Sequence, residues 1–162
     1  MERTSTSAET RHADLSLQVL RIVGMVIFVG AAAALIWGTV FGGVNVGPMR
    51  SLIRTIPFED KGAHFLIYGT LTFALSLILQ RPAFAFYGAV LLTGLGVVEE
   101  FRQRFVSGRT FEVADMLANG IGAAVGLAVA LALLGAIGHR AKEFDPQASL
   151  AGRPPTQKLD VI

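Results

Sequence analysis

Four long apolar runs, separated by short polar segments, dominate the chain. No Asp, Glu, Lys or Arg occurs within residues 22–49, 62–80, 83–98 and 116–138. An α-helix needs about 20 mainly apolar residues to cross the hydrocarbon core of a bilayer. Each run is close to that length, with the first helix ending near Phe41 and the third run completed by its flanks. The pattern therefore predicts an all-α fold, an integral membrane bundle of four transmembrane helices.

Polar ends flank the predicted membrane domain. Residues 1–20 form a polar N-terminal segment, residues 21–138 the four-helix domain, and residues 139–162 a polar tail without an apolar period. Because such segments bury little apolar surface, we expect a loose N-terminus and a disordered tail. A cleaved signal peptide is the rival interpretation of the first run, but the run is longer than the roughly 7–15 apolar residues typical of such a signal.

The composition also separates this chain from ordinary soluble domains. Hydrophobic residues make up 52% and charged residues 16% of the sequence, whereas soluble domains carry about 25% charged residues. The net charge is +2 and the basic residues are scattered, so we expect no nucleic-acid partner. The chain has no cysteine, which excludes disulfides, thiolate metal sites and cysteine nucleophiles.

Polar side chains gather at the ends of the runs, on one predicted side of the membrane. Positions 60, 64 and 68 share one helix face, because they are spaced by four residues. Charged groups at the mouths of membrane spans are costly to hold there and are functional candidates. We therefore expect a ligand-binding or functional polar site that comprises Asp60, Lys61, His64, Tyr68, Glu100, Gln103, Arg109, Asp115 and Asn119.

Small residues predict where helices touch. Rows at four-residue spacing occupy positions 30, 34 and 38 in the first run and 118, 122, 126 and 130 in the fourth. Such rows let helix backbones approach closely in lipid. We expect helix packing at Gly122 and Gly126, on the same face as Asp115 and Asn119. The alternative is that Gly and Ala are simply common in membrane spans.

Structural explanations compete with the functional ones at several positions. Asp60 is also a suitable N-cap for the second helix, and His64 is also typical of an interior histidine. Glu100 and Asp115 would either neutralise the neighbouring basic residues in a buried network or serve as a base. Arg102 and Arg104 are expected to anchor at lipid head groups, and no role is assigned to Glu99 and Glu112.

Catalytic and metal motifs are not found in the sequence. No serine, threonine or cysteine lies in a recognisable nucleophile motif, so no catalytic residue is predicted. His64, Glu100 and Asp115 are candidate ligands of mixed nitrogen and oxygen type, but no HxxxH or HExxH spacing supports them. The sequence therefore predicts no metal site and no cofactor.

The ordered set of polar residues resembles the VanZ-like family. The matching pattern is Asp60-Lys61-x-x-His64-Phe65-x-x-Tyr68, Glu100-x-x-Gln103, Arg109, and Asp115-x-x-x-Asn119-x-x-Gly122-x-x-x-Gly126. The resemblance implies a small multi-pass bacterial membrane protein. It also implies a link to the cell envelope, since the namesake of the family is associated with resistance to the glycopeptide antibiotic teicoplanin and other members with envelope or exopolysaccharide functions.

These observations lead to one expectation and several alternatives. We expect a non-enzymatic protein of the bacterial inner (cytoplasmic) membrane whose polar site binds an envelope lipid or glycan precursor. If Lys61 and Arg109 are site residues, the remaining basic residues favour both termini in the cytoplasm and the site outside. One alternative is a membrane enzyme acting on a lipid-linked substrate. Another is an accessory subunit of a larger membrane complex. The chain is also a candidate homo-oligomer. A transporter is disfavoured, because four short helices without an internal repeat make a small scaffold.

Overall fold

The computed structural model describes the backbone of residues 3–41, 55, 57, 60–105 and 111–143, and the side chains of residues 14–39, 55, 57, 60–105 and 111–138. These described residues form four α-helices and no strand: α1 (Arg3–Phe41), α2 (Asp60–Leu79), α3 (Pro82–Gln103) and α4 (Val113–Glu143). Each helix contains a segment that is long and apolar enough to cross a membrane. The prediction of an all-α membrane protein with four transmembrane helices is therefore confirmed.

Helix α1 begins much earlier than the apolar run. It starts at Arg3, so the segment expected to be loose is helical from that residue onwards. No glycine or proline precedes Gly24 after the start of the helix, and the Ala, Leu, Gln and Arg residues of this stretch are good helix formers. Helix α4 likewise continues to Glu143, past the predicted limit of the membrane domain. The rest of the predicted tail, residues 144–162, lies outside the described residues.

Helix α2 lies at the centre of the bundle, in contact with the other three helices. Helix α1 approaches it closely at Gly24, where an added Cβ atom would lie 2.9 Å from the Ala74 carbonyl oxygen. By contrast, an added Cβ atom at Gly30 or Gly38 would have no neighbour within 4 Å among the described residues. The predicted small-residue row of the first helix therefore does not coincide with the glycine at which α1 packs closely on α2. That glycine, Gly24, lies one to two helical turns before Gly30.

Helix α4 packs against α2 through glycines. A Cβ atom at Gly122 would overlap the carbonyl oxygen of Phe65, and one at Gly126 would overlap that of Gly69. The two backbones touch at these positions because neither glycine has a side chain. Asp115 lies on the same buried face of α4, so this glycine seam leads directly to the polar end of the bundle.

A tight turn joins α2 to α3 at the other end of the bundle. Gln80 has a φ of 54°, and its side chain donates a hydrogen bond of 2.6 Å to the Leu17 carbonyl oxygen of α1. Pro82 then starts α3, a position where the missing N–H is not needed. Because α3 runs back alongside α2, the end of α3 and the start of α2 lie at the same end of the bundle. Arg102 of α3 donates a hydrogen bond of 3.1 Å to the Thr39 carbonyl oxygen there.

Candidate functional site

Polar side chains from three helices meet at this end of the bundle. We call this group the polar cluster. Its members among the described residues are Asp60, Lys61, His64, Tyr68, Glu99, Glu100, Gln103, Glu112, Asp115 and Asn119. The structure brings together all the polar residues singled out in the sequence except Arg109, which lies outside the described residues.

Glu100 is the most deeply buried charged residue of the polar cluster, with 0% of its surface exposed. Its Oε1 atom accepts a hydrogen bond of 2.8 Å from the backbone N–H of Glu112. Its Oε2 atom has no hydrogen-bond partner in the described part of the chain. Burying a carboxylate without a matching charge is costly. Glu100 therefore occupies a position that packing alone does not explain.

Lys61 lies at the mouth of the polar cluster. Its Nζ atom is 2.7 Å from the Glu112 Oε2 atom and 3.7 Å from the Asp115 Oδ1 atom. The side chains of Lys61 and Glu112 are both nearly half exposed, whereas Asp115 is buried. Of the two buried carboxylates, Glu100 and Asp115, Lys61 approaches that of Asp115, from the mouth of the polar cluster.

His64 bridges the two buried polar residues of α4. Its Nδ1 atom is 3.0 Å from the Asn119 Oδ1 atom, and its Nε2 atom is 3.9 Å from the Asp115 Oδ2 atom. Because an amide oxygen can only accept a hydrogen bond, this arrangement assigns the proton of a neutral His64 to Nδ1. The Nε2 atom then directs a lone pair towards the Asp115 carboxylate.

Two further hydrogen bonds within the polar cluster converge on Glu99. The Tyr68 hydroxyl donates to the Glu99 Oε2 atom over 3.4 Å, and the Gln103 side-chain amide donates to Glu99 Oε1 over 3.1 Å. Gly96 allows α3 to come this close, because a Cβ atom there would lie 2.8 Å from the Asn119 Nδ2 atom and 3.0 Å from the Tyr68 ring. The hydrogen bond from Tyr68 to Glu99 thus ties α2 to α3 within the polar cluster.

A cavity of about 80 Å³ opens beside the cluster, between α1 and α2. Its polar wall includes Asp60, His64 and Glu99, and its apolar wall includes Ala34 and Leu35 of α1. Asp60 is the first residue of α2 rather than the residue before it, and its negative charge is favourable at a helix N-terminus. The cavity has room for a small group, since a water molecule occupies about 30 Å³ in the liquid.

Glu99 and Glu112 are the two members of the cluster to which sequence reasoning assigned no role. The spacing of Glu99 and Gln103 by four residues was a usable signal, because such residues are neighbours on a helix. No comparable signal exists for Glu112, whose partner Lys61 is 51 positions away in the sequence. Arg104 lies with its guanidinium 5.1 Å from the centre of the Phe111 ring, a contact that joins the ends of α3 and α4.

Three potential metal ligands also meet in the cluster. One ligand atom from each of His64, Glu100 and Asp115 lies within 4.8 Å of the other two. Imidazole nitrogen and carboxylate oxygen together suit divalent transition metals. The arrangement can thus offer hydrogen-bond acceptors to a polar ligand or coordinate a cation.

The comparisons with known proteins agree with this architecture. The model of the VanZ/LLP1 family matches residues 3–134, which include the complete polar cluster and most of all four helices. The comparisons with curated proteins and with solved structures found no match. The match covers most of the chain and confirms the resemblance noted in the sequence. The chain, a multi-pass membrane protein by its four apolar helices, therefore belongs to the VanZ/LLP1 family.

Proposed function

We propose that this protein binds the polar head group of an envelope lipid or glycan precursor in its polar cluster, at the outer boundary of the bacterial inner membrane. The observation that carries the proposal is a set of buried polar side-chain atoms whose hydrogen-bonding capacity is not satisfied by the described residues. Glu100 Oε2, Asp115 Oδ1 and Asn119 Nδ2 have no hydrogen-bond partner in the described part of the chain. Buried polar atoms are nearly always satisfied in folded proteins, so a bound ligand is their natural complement.

The chemistry of these atoms favours hydroxyl groups. The two carboxylate oxygens accept hydrogen bonds and the amide nitrogen donates them. A sugar hydroxyl can both donate to a carboxylate and accept from an amide, so neighbouring hydroxyls of a glycan match the set. Lys61 at the mouth carries a positive charge that suits a phosphate attached to such a glycan.

The surroundings of the cluster favour a ligand with an apolar part. The cavity beside the cluster is bounded on one side by Ala34 and Leu35 of α1. Most of the apolar surface of α1 faces outwards, where lipid surrounds a membrane-spanning helix. A lipid-linked precursor would place its head group on the cluster and its chain along this surface.

Retention of a ligand through purification tests the proposal. The full-length protein is extracted in a mild detergent, and its co-purified lipids are analysed by mass spectrometry. We expect the wild type to retain a glycolipid or phosphoglycan lipid, and Glu100→Gln and Asp115→Asn to lose most of it. Ser76→Ala is the matched control, because Ser76 is a buried polar residue of α2 away from the cluster. Unchanged lipid retention in correctly folded Glu100→Gln and Asp115→Asn would refute the proposal.

The resistance phenotype of the family namesake gives a second measurement. If the bound precursor is a cell-wall intermediate, expression of the wild type raises the minimum inhibitory concentration of teicoplanin, and Glu100→Gln does not. Equal resistance with both proteins would separate any resistance from the polar cluster.

An enzyme acting on a lipid-linked substrate is the second candidate. It is favoured by the buried Glu100 carboxylate beside His64, since a buried carboxylate near an imidazole is a typical general-base arrangement. The variant Glu100→Gln separates the two functions. If Glu100 is a general base, this change abolishes turnover and largely preserves substrate binding. If Glu100 only binds the ligand, the change abolishes ligand retention.

A further inference from the structure

The polar cluster contains an unbalanced pair of buried carboxylates. Glu100 is completely buried and Asp115 is 6% exposed. In the described part of the chain no Lys or Arg contacts Glu100, and Lys61 pairs with Glu112 and reaches Asp115 at 3.7 Å. Among the described residues these two buried carboxylates share one lysine at the mouth, and a further cation between them would offset the cost of burying their charges.

The orientation of His64 gives an independent indication of that cation. When the neutral His64 donates its Nδ1–H to the Asn119 Oδ1 atom, the Nε2 lone pair faces an Asp115 oxygen 3.9 Å away. Two lone pairs that face each other repel unless a positive charge lies between them. A histidine that binds a metal through one nitrogen almost always donates its other N–H to an oxygen acceptor, and the contact between His64 and Asn119 has this form.

The distances also fit a metal centre. The three candidate ligand atoms of His64, Glu100 and Asp115 lie within 4.8 Å of one another. Bonds of about 2.1 Å place the ligands of a tetrahedral ion roughly 3.4 Å apart, so shifts of about 1 Å close the site. The fully buried Glu100 Oε2 atom, which has no hydrogen-bond partner among the described residues, is available for coordination.

We propose that His64, Glu100 and Asp115 bind one divalent transition-metal ion, Zn²⁺ or Mn²⁺, and that Asn119 is a positioning residue for His64. One imidazole and two carboxylates suit these ions, and a charge of two balances the two carboxylates. Three protein ligands leave a coordination position open, which a phosphate oxygen of a head group would take. The metal site stands without the proposed function, because metal binding requires no head group.

The test uses the metal alone. Full-length protein in detergent is treated with a chelator, dialysed, and titrated with Zn²⁺ and with Mn²⁺ by isothermal calorimetry, and bound metal is counted by elemental analysis. We expect one ion per chain in the wild type. His64→Gln, Glu100→Gln and Asp115→Asn should each weaken binding by at least ten-fold. Two control variants, His139→Gln and Asp14→Asn, remove a histidine of the C-terminal turns of α4 and an exposed acid of α1 outside the polar cluster. They should bind like the wild type.

Asn119 is tested by a pair of variants. Asn119→Leu removes the acceptor for the Nδ1 proton and should weaken binding roughly 10- to 100-fold, the usual effect of losing a group that orients a ligand. Asn119→Asp keeps an acceptor and should restore the affinity. A purely structural role for Asn119 would not separate these two variants by metal affinity.

Three results would overturn the metal site. The first is a wild type that binds no stoichiometric ion. The second is equal binding by the wild type and the folded variants of His64 and Glu100. The third is binding that appears only after Arg109→Ala, which would show that the guanidinium occupies the cluster. Because the stoichiometry of the wild type is itself decisive, a variant that fails to fold leaves the test intact.

Discussion

The backbone N–H of Glu112 donates a hydrogen bond to the Glu100 side chain, with 2.8 Å between the nitrogen and Oε1. This contact fastens the start of α4 to the end of α3 inside the bundle. The two oxygens of Glu100 therefore differ: Oε1 fastens the two helices together, and Oε2 has no hydrogen-bond partner in the part of the chain that the structure describes. The two roles can be separated by substitution, because only one of them requires a charge.

Glu100→Gln and Glu100→Ala should differ sharply in stability. Glutamine keeps the acceptor oxygen for the Glu112 N–H and removes a buried charge, so we expect no loss of stability. Alanine leaves the N–H without its partner and should cost about 1–3 kcal/mol. Reversible unfolding of the detergent-solubilised protein measures both variants. An equal loss in both would show that the Glu100 charge is itself paired in the folded protein.

Gly126→Ala should destabilise the bundle by about 1–3 kcal/mol or more, because its Cβ atom would overlap the Gly69 carbonyl oxygen and force α2 and α4 apart. Gly30→Ala is the matched control, as a Cβ atom there meets nothing within 4 Å among the described residues. Thermal unfolding of the two variants gives the comparison. Similar melting temperatures would argue against the glycine seam as the closest contact of the bundle.

Gly96→Ala should impair the polar cluster more than the fold. The added methyl group would press on the Asn119 side-chain nitrogen and the edge of the Tyr68 ring, and so would move the residue that orients His64. We expect weaker metal binding and loss of the co-purified ligand. Gly94→Ala lies two positions away, where an added Cβ atom would have no neighbour within 4 Å among the described residues, and it should retain both. Identical ligand retention in the two variants would contradict this assignment.

Lys61→Gln should leave the melting temperature unchanged, because the lysine is nearly half exposed at the mouth and its ion pair is open to solvent. It should reduce the retention of lipids that carry a phosphate, since the variant removes the positive charge beside Asp115. Glu112→Gln removes the partner and keeps the lysine, so it serves as the control. A phosphate-bearing ligand bound equally by both variants would exclude Lys61 from its recognition.

The orientation of the protein in the membrane can be measured by labelling single-cysteine variants with a thiol reagent. The chain has no cysteine of its own, and Arg104 is exposed at the end that carries the polar cluster. If the cluster faces outwards, Arg104→Cys reacts with a membrane-impermeant thiol reagent in intact cells. A cysteine near the N-terminus, such as Ser5→Cys, should react only after permeabilisation. The opposite pattern would place both termini outside.

The sequence predicted the fold because the length of an apolar run decides whether a helix can cross a bilayer. It also predicted the shared face of Asp115, Asn119, Gly122 and Gly126, since helical spacing alone places them in line. The contact of Glu112 with Lys61 could not be read in this way. It joins residues that lie 51 positions apart in the sequence, and no local period records such a long-range contact.

The start of α1 illustrates the other limit. The polar composition of the first residues indicated a loose terminus, yet the helix begins at Arg3. Polarity reports only that a segment buries little surface, whereas a helix also extends wherever good helix formers follow one another without a break. Likewise, α1 packs closely on α2 where Gly24 meets Ala74, and not at Gly30 or Gly38 of the regular small-residue row. The position of this contact depends on where the two helices cross.

The contact between the Gly126 and Gly69 backbones makes α2 and α4 one preorganised unit. Most residues that surround the buried carboxylates belong to this pair or to α3, which is fastened to it by Glu100 and Tyr68. A ligand that enters between these helices meets a site already in shape, so little conformational entropy is lost on binding. Helix α1 supplies the apolar wall of the cavity beside this site, through Ala34 and Leu35, and hydrogen bonds from Gln80 and Arg102 hold it to the other helices.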